Sequence, residues 1–224
     1  MQVENKKYRN QGIHVISAIF TVQKGETKIL LIQRKNEPYQ NMWALVGGAL
    51  YNDEDLDKGM EREIYEKTSL ENIPLKMFRV FGDVHRSPVM RMVAICYIGM
   101  VDAEKVKVAK ETLHTSNADW FPITEIPEMA YDHNRIVASA LQTLKEEIVQ
   151  TDILKALYPN GFTVPEIQKI YESILGKKFD RRNFRKKLLG LDIVYDTGEV
   201  IQFQGKKPAK VYKFKEQKKN KTIF

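Results

Sequence analysis

The chain has a single cysteine, Cys96, among its 224 residues. This excludes an internal disulfide framework and the small stapled folds that depend on one. It lacks any run of about 18 apolar residues, so no helical membrane span is expected. The first residues, Met1-Gln-Val-Glu-Asn-Lys-Lys7, carry no apolar signal-peptide core. The expected setting is therefore a reducing cytoplasm, with no membrane partner. The four histidines, His14, His85, His114 and His133, show no paired ligand spacing, and one cysteine cannot complete a thiolate site. They read as structural, and no zinc centre is expected. Internal repeats are absent, and the one biased tract is a Lys-rich tail at 213–221.

What is present is an ordinary globular composition, 43% hydrophobic and 29% charged, in a chain longer than the usual single domain, so two cores are expected. The net charge of +7 is unevenly placed. Residues 151–224 hold 17 Lys and Arg against 8 Asp and Glu, whereas residues 1–150 hold 19 against 21, so the excess belongs to the C-terminal third. The expected division is a first domain at 1–150, a second at 151–215 and a tail at 216–224. A basic segment is either a solvated face or a nucleic-acid footprint, and the placement of the cations decides between them.

In the first domain the β-branched segments Ile13–Val22 and Lys28–Arg34, separated by a short turn, predict a β-hairpin. After a loop containing Pro38 comes Trp43-Ala-Leu-Val-Gly-Gly48. A helix is predicted from about Glu54 to Lys67, with Leu56, Met60 and Ile64 on one face. Strands are predicted at Met77–His85 and Arg91–Val101. A second helix at Asn134–Ile148 carries Ile136, Val137, Ala140, Leu141 and Leu144 on one side. Mixed strands and helices give an α/β or α+β class.

The informative stretch is Gly48, five residues, Glu54, seven residues, then Arg62-Glu63-Ile64-Tyr65-Glu66-Lys67-Thr68-Ser69-Leu70. Glu63, Glu66 and position 67 stand at i, i+3 and i+4, so their side chains leave one helical face. Three carboxylates there would hold a divalent metal, because hard Mg²⁺ takes oxygen ligands and would polarise a diphosphate. This stretch resembles the Nudix box in spacing throughout. It departs at two positions: Lys67 stands for a glutamate and Ser69 for a glycine. The resemblance implies a Nudix fold, a mixed sheet flanked by helices. It also implies Glu63 and Glu66 as catalytic residues, Glu54, Glu63 and Glu66 as a metal set, and Arg62 bracing the loop through Glu54. Lys67 removes one negative charge and adds one positive, which disfavours metal and hydrolysis. The pair Gly47 and Gly48 is expected to allow a tight turn and close backbone approach to a ligand. Asn117–Pro122 with Ile126–His133 is similar to Nudix proteins that accept ADP-ribose-type ligands. Trp120 either stacks on a base or fills the core. Arg86 and Arg91 either meet ligand phosphates or lie on the surface.

Beyond residue 150, Asp152–Leu157 predicts a short helix. Thr163-Val-Pro-Glu166 reads as a capping box opening a second helix to about Leu175, and Asp180 as the N-cap of a third that runs to Leu191. In the third helix Phe184, Leu188 and Leu191 form the expected buried stripe, while Arg182, Arg185 and Lys186 share another face at i, i+3 and i+4. Such a helix suits the major groove, with Arg181 and Asn183 near its start. Asp192–Asp196, Val200–Phe203 and Lys210–Phe214 read as short strands. The turn Gly205-Lys206-Lys207-Pro208 reads as a wing whose lysines face phosphate.

With both halves in view, the chain resembles the Nudix-related transcriptional regulators of bacterial NAD metabolism, a Nudix domain followed by a small winged helix-turn-helix domain. The resemblance implies a homodimeric repressor on double-stranded operator DNA. Its effector would be ADP-ribose, or a sugar metabolite as in related regulators, bound in the Nudix domain to release DNA. No cofactor is required for DNA binding, and Mg²⁺ enters only with residual hydrolysis. Two rival readings are a Mg²⁺-dependent hydrolase of ADP-ribose or another nucleoside diphosphate derivative, and a Nudix enzyme with a protein-docking tail.

Overall fold

The computed structural model describes residues 11–150, 152–202 and 207–216. The chain falls into two compact units. The first comprises the N-terminal residues to Thr21 and Lys28–Leu141, and the second Val22–Thr27 and the residues from Gln142.

The first unit is built on a seven-stranded mixed sheet. Strands β1 (Gln11–Gln23) and β2 (Glu26–Arg34) are neighbours in it. They meet at a turn in which Lys24 and Gly25 both have positive φ, 53° and 82°. That is the left-handed pairing a tight hairpin needs. Residues Val15–Thr21 of β1 are buried without interruption; an unbroken buried run means that both faces of the strand are covered. On one edge of β1 lies β4 (Val46–Ala49), antiparallel, with His14 opposite Ala49. Strand β6 (Arg91–Met100) runs parallel to β1, from Gln11 opposite Arg91 to Phe20 opposite Met100. Strand β5 (Leu75–Phe81) pairs antiparallel with β6. It starts and ends earlier than the predicted Met77–His85, because Gly82 and Asp83 leave the ladder. Strand β7 (Thr115–Pro122), not predicted, pairs with β2, as does the short β3 (Trp43–Ala44).

Helix α1 (Leu56–Thr68) packs on β4 and β7 and buries Met60 and Ile64 in a core with Val15, Ile19, Leu30, Ile32, Val46 and Leu70. It ends at Ser69, whose φ of 57° is left-handed and whose N–H donates to the Tyr65 carbonyl at 2.8 Å. This conformation is easiest for glycine, so the serine here costs about 1 kcal/mol. Helix α2 (His133–Gln150) buries the predicted Ile136, Val137, Ala140 and Leu144.

The second unit holds α3 (Asp152–Leu157), β8 (Phe162–Thr163), α4 (Val164–Leu175), α5 (Arg181–Gly190), β9 (Val194–Ile201) and β10 (Ala209–Phe214), with strand order β8-β10-β9. The Thr163 capping box is present, the Glu166 carboxylate accepting from the Thr163 N–H at 2.7 Å. Core aromatics interlock: Tyr171 meets Phe184 at 5.6 Å, and Phe162 meets Phe214 at 4.7 Å. The two predicted strands, Asp192–Asp196 and Val200–Phe203, are joined over Val194–Ile201 in one strand, β9, and Phe203 lies outside the described residues. Gly198, at φ 81°, lies where the pairing with β10 shifts register, so the glycine makes a bulge rather than a turn. Of the expected stripe on α5, Phe184 and Leu188 are buried and Leu191 is half-buried. Among the described residues, no helix is long and apolar enough to cross a membrane.

Candidate ligand site and nucleic-acid interface

In the first unit the charged residues of α1 form a closed set of pairs. The Arg62 guanidinium donates to both Glu54 carboxylate oxygens, at 2.8 and 2.6 Å, and to the Ala49 carbonyl at 3.0 Å. The brace expected between Arg62 and Glu54 is therefore present. It holds the Glu54 carboxyl well below its ordinary range, at about 2. Arg62 also contacts Glu63 at 2.8 Å and Glu66 at 3.2 Å, and stacks 3.8 Å from the Tyr51 ring. Lys67, one turn beyond Glu63, lies 2.6 Å from its Oε2 and donates to the Gly47 carbonyl. Glu54, Glu63 and Glu66, the set assigned to metal and, for the last two, to catalysis, thus converge on Arg62 and Lys67. Among the described residues no group of three His, Cys, Asp or Glu could hold a metal ion. A divalent metal does not fit here, because an ammonium already stands between Glu63 and the Gly47 carbonyl.

Gly47 and Gly48 do not make the expected tight turn. Both lie within β4, and neither has a positive φ. A Cβ on Gly47 would fall 2.2 Å from the Val15 carbonyl oxygen, and one on Gly48 would fall 2.4 Å from the Glu63 carboxylate. The close approach is to the neighbouring strand and to Glu63.

Arg86 is not a surface residue. Its side chain is 2% exposed and forks onto Asp132, at 2.7 and 3.1 Å. Arg91 is half-buried and donates to the carbonyls of Asp83 and Met92. Trp120 is half-buried, opposite Leu30 on β2, and packs against the core.

The fold also gathers residues that the sequence pattern did not single out. Tyr39 and Tyr131 both have left-handed backbones, φ 66° and 56°, and their rings meet edge-on at 4.7 Å. Arg34 lies 5.1 Å over the Tyr131 ring, and His133 stands 5.6 Å from it. Bulky side chains in this region of φ are strained, and strain of this kind concentrates at ligand sites. His133 accepts from the Leu45 N–H at 3.0 Å through Nδ1. Burial, then the nearby Arg86 and Arg34, lowers its pKa to about 3. Burial and Arg86 lower that of His14 to about 4. Both imidazoles are neutral at pH 7, and Arg34, Lys67 and Arg86 supply the positive field around them. The only local signal for this group was Tyr131-Asp132-His133 inside a segment already noted.

In the second unit, α5 begins at Asp180, whose carboxylate accepts from the Asn183 N–H at 2.9 Å, as the sequence suggested. Its orientation to α4 is fixed through Phe179. The Phe179 carbonyl accepts from the Gln168 amide and its N–H donates to the Glu172 carboxylate, both at 2.9 Å. Gly176, φ 66°, turns the chain between the helices. Arg181, Arg182, Asn183, Arg185 and Lys186 are all exposed on α5. Arg181, Arg182 and Lys186 make no ion pair among the described residues, and Arg185 reaches only the Tyr212 hydroxyl at 3.5 Å. On the strands, Lys210 pairs with Asp196 at 2.7 Å. Lys207 is exposed, and Lys206 lies outside the described residues.

This combination of a carboxylate-rich α1 box with the arginine-bearing helix α5 has a counterpart in known proteins. The NUDIX domain family matches residues 13–141, and the NrtR DNA-binding winged helix domain matches residues 154–214. The chain belongs to the NrtR family. An NrtR-family relative, the ADPR responsive transcriptional repressor NtrR of Acinetobacter baylyi, is 30% identical over 95% of this chain and 86% of its own length. Shewanella oneidensis NrtR, solved in complex with a 27mer DNA, superposes with a TM-score of 0.73 at 27% identity, over 91% of this chain and 93% of that one. An ADP-ribose pyrophosphatase of Methanocaldococcus jannaschii is 30% identical over 59% of this chain and 76% of its own length, a likeness too short to include the whole NrtR architecture.

Proposed function

We propose that this chain is a transcriptional repressor that grips operator DNA through α5 and the β9–β10 wing and is released when its Nudix unit binds ADP-ribose. The observation that carries the reading is the outward face of α5. There Arg182, Arg185 and Lys186 follow one another at helical spacing on a solvent-exposed surface, where a phosphate backbone and guanine edges would meet them. The relatives named above are a repressor responsive to ADPR and a regulator crystallised with DNA, and both support the assignment. Arg181, Asn183, Lys206 and Lys207 are assigned to the phosphates flanking the same groove. In the Nudix unit, Arg62, Arg86, Arg91, Trp120 and the Gly47–Gly48 strand frame the effector site. The unit acts as a sensor without hydrolysis, since Glu63 and Glu66 are engaged by Arg62 and Lys67. The repressor works as a homodimer, with two recognition helices on successive major grooves of a palindromic site. Effector binding favours a dimer geometry in which that spacing is lost.

The test is binding of the full chain to a duplex from its own upstream region across a salt series, with and without ADP-ribose. Log affinity should fall with log salt by about 0.9 per neutralised phosphate, and ADP-ribose should weaken binding. By linkage, operator DNA must weaken ADP-ribose affinity by the same factor. Equal affinity for ADP-ribose with and without operator would rule out the coupling. Binding no tighter than to random duplex would return the chain to the hydrolase reading.

A further inference from the structure

The α1 box has three carboxylates, Glu54, Glu63 and Glu66, set against two cations, Arg62 and Lys67. With a glutamate at position 67 the same box would have four carboxylates against one cation. The two versions differ by two units of charge, the charge of one divalent metal ion. The position of the lysine matches its charge. Its Nζ is held by a carboxylate oxygen of Glu63, 2.6 Å away, and by the Gly47 backbone carbonyl. Those are the oxygen donors a hard cation takes. Glu63 Oε2 is buried and meets the ammonium as an ion pair. Lys67 lies in the last turn of α1, where the carbonyl end of the helix favours a cation. Its side chain is 16% exposed. An ammonium has three donors; the Gly47 carbonyl and the Glu63 carboxylate face two of them, which leaves one for an incoming anion.

We propose that the Lys67 ammonium replaces the divalent cation of this Nudix unit, so that a diphosphate ligand is held without metal. This rests on the effector reading above for the identity of the ligand but not for the exclusion of metal. Positive charge reaches the ligand from Lys67, with Arg86 and Arg34 contributing to the same field, while His14 and His133 stay neutral. Because an ammonium cannot orient and ionise a water as Mg²⁺ does, the substitution retains anion binding and removes hydrolysis in one step.

The experiment has two readouts on the full-length protein. Manganese binding, followed by the electron paramagnetic resonance signal of free Mn²⁺, is compared between the native chain and Lys67→Glu. The expected result is one more bound Mn²⁺ in the variant, whereas equal stoichiometry and affinity would overturn the proposal. ADP-ribose binding is measured by calorimetry in EDTA and in excess Mg²⁺. The native chain should bind equally in both, and Lys67→Glu should bind only with Mg²⁺. Native binding that tightens tenfold or more on adding Mg²⁺ would also overturn the proposal. Should Lys67→Glu not fold, Lys67→Met takes its place, with ADP-ribose affinity expected to fall at least tenfold in EDTA and in Mg²⁺ alike. An unchanged affinity would mean the ammonium is not the anion's partner. Failure of the native chain to bind ADP-ribose under either condition would refute the effector reading, with the manganese comparison still deciding the substitution of metal.

Discussion

In the N-terminal unit, two arginines are engaged by carboxylates: Arg62 by Glu54, Glu63 and Glu66, and Arg86 by Asp132. In the C-terminal unit, Arg181 and Arg182 stand in solvent with no ion pair among the described residues. The same side chain therefore has two functions. Where it is buried with acids it shapes a site, and its removal strands a charge. Where it is exposed it contributes little to folding and remains available to a partner with many negative charges. The positive charge of α5 is thus meaningful because of where it sits.

The largest expected effect comes from breaking a buried pair. Arg86→Leu leaves Asp132 without its bidentate partner in a nearly closed environment, and loss of one member of such a pair costs about 3–5 kcal/mol. The urea midpoint of the full chain should fall accordingly. A shift below about 1 kcal/mol would mean that water replaces the guanidinium and that the pair is not structural. The double variant Arg182→Ala/Arg185→Ala should do the opposite. Its unfolding midpoint should match that of the native chain within about 0.5 kcal/mol. Its operator affinity should drop roughly 30-fold or more, since each arginine reading a base or phosphate contributes about 1–3 kcal/mol. If the double variant unfolds early, or still binds operator, the contrast between the units fails.

Much of this contrast was legible in the sequence, because it rests on local signals. The spacing from Gly48 through Glu66 gave α1 and its charged face. Thr163 and Glu166 gave a helix start, and Asp180 gave the next. What could not be read depends on contacts distant in the chain. Strand β7 carries Asn117 and Asp119 and no clean alternation, and it is a strand because β2 offers it a ladder from Pro122 to Thr115. The segment Asp196-Thr-Gly198 has the composition of a turn but is absorbed as a bulge by pairing with β10. Arg86 and Asp132, 46 positions apart, meet only in the fold. The same holds for Tyr39 and Tyr131, whose left-handed backbones no propensity would assign.

A smaller effect, confined again to the N-terminal unit, concerns pH. His14 and His133 have folded pKa values lowered from 6.5 to about 4 and about 3. Between 6.5 and those values the unfolded chain binds more protons than the folded one, so stability is complete above pH 6.5 and declines as the pH falls. Going from pH 7.5 to 5 should cost roughly 1–2 kcal/mol per histidine. Carboxylates such as Glu54, lowered from 4.5 to about 2, add their share only at lower pH. His133→Asn, whose amide oxygen can still accept from the Leu45 N–H, should flatten the slope between pH 7.5 and 5. An unaltered slope would place the acid sensitivity elsewhere.

The finest distinction falls on α5 itself, where the acidic Asp180 immediately precedes Arg181 and Arg182. It caps the helix through the Asn183 N–H, and it also places a negative charge where operator phosphate would approach. Asp180→Ala removes both. The expected outcome is a loss of about 1 kcal/mol in stability from the missing cap, with a frayed first turn that carries the two arginines. Asp180→Asn retains a capping oxygen and removes only the charge, so stability should change by less than about 0.5 kcal/mol. Operator affinity should then rise, and non-specific affinity should rise by a similar factor, since the charge acts on phosphate and not on bases. If Asp180→Asn instead weakens operator binding while the helix stays folded, Asp180 contacts the DNA directly, and the surface that reads sequence extends beyond the arginine face to the helix cap.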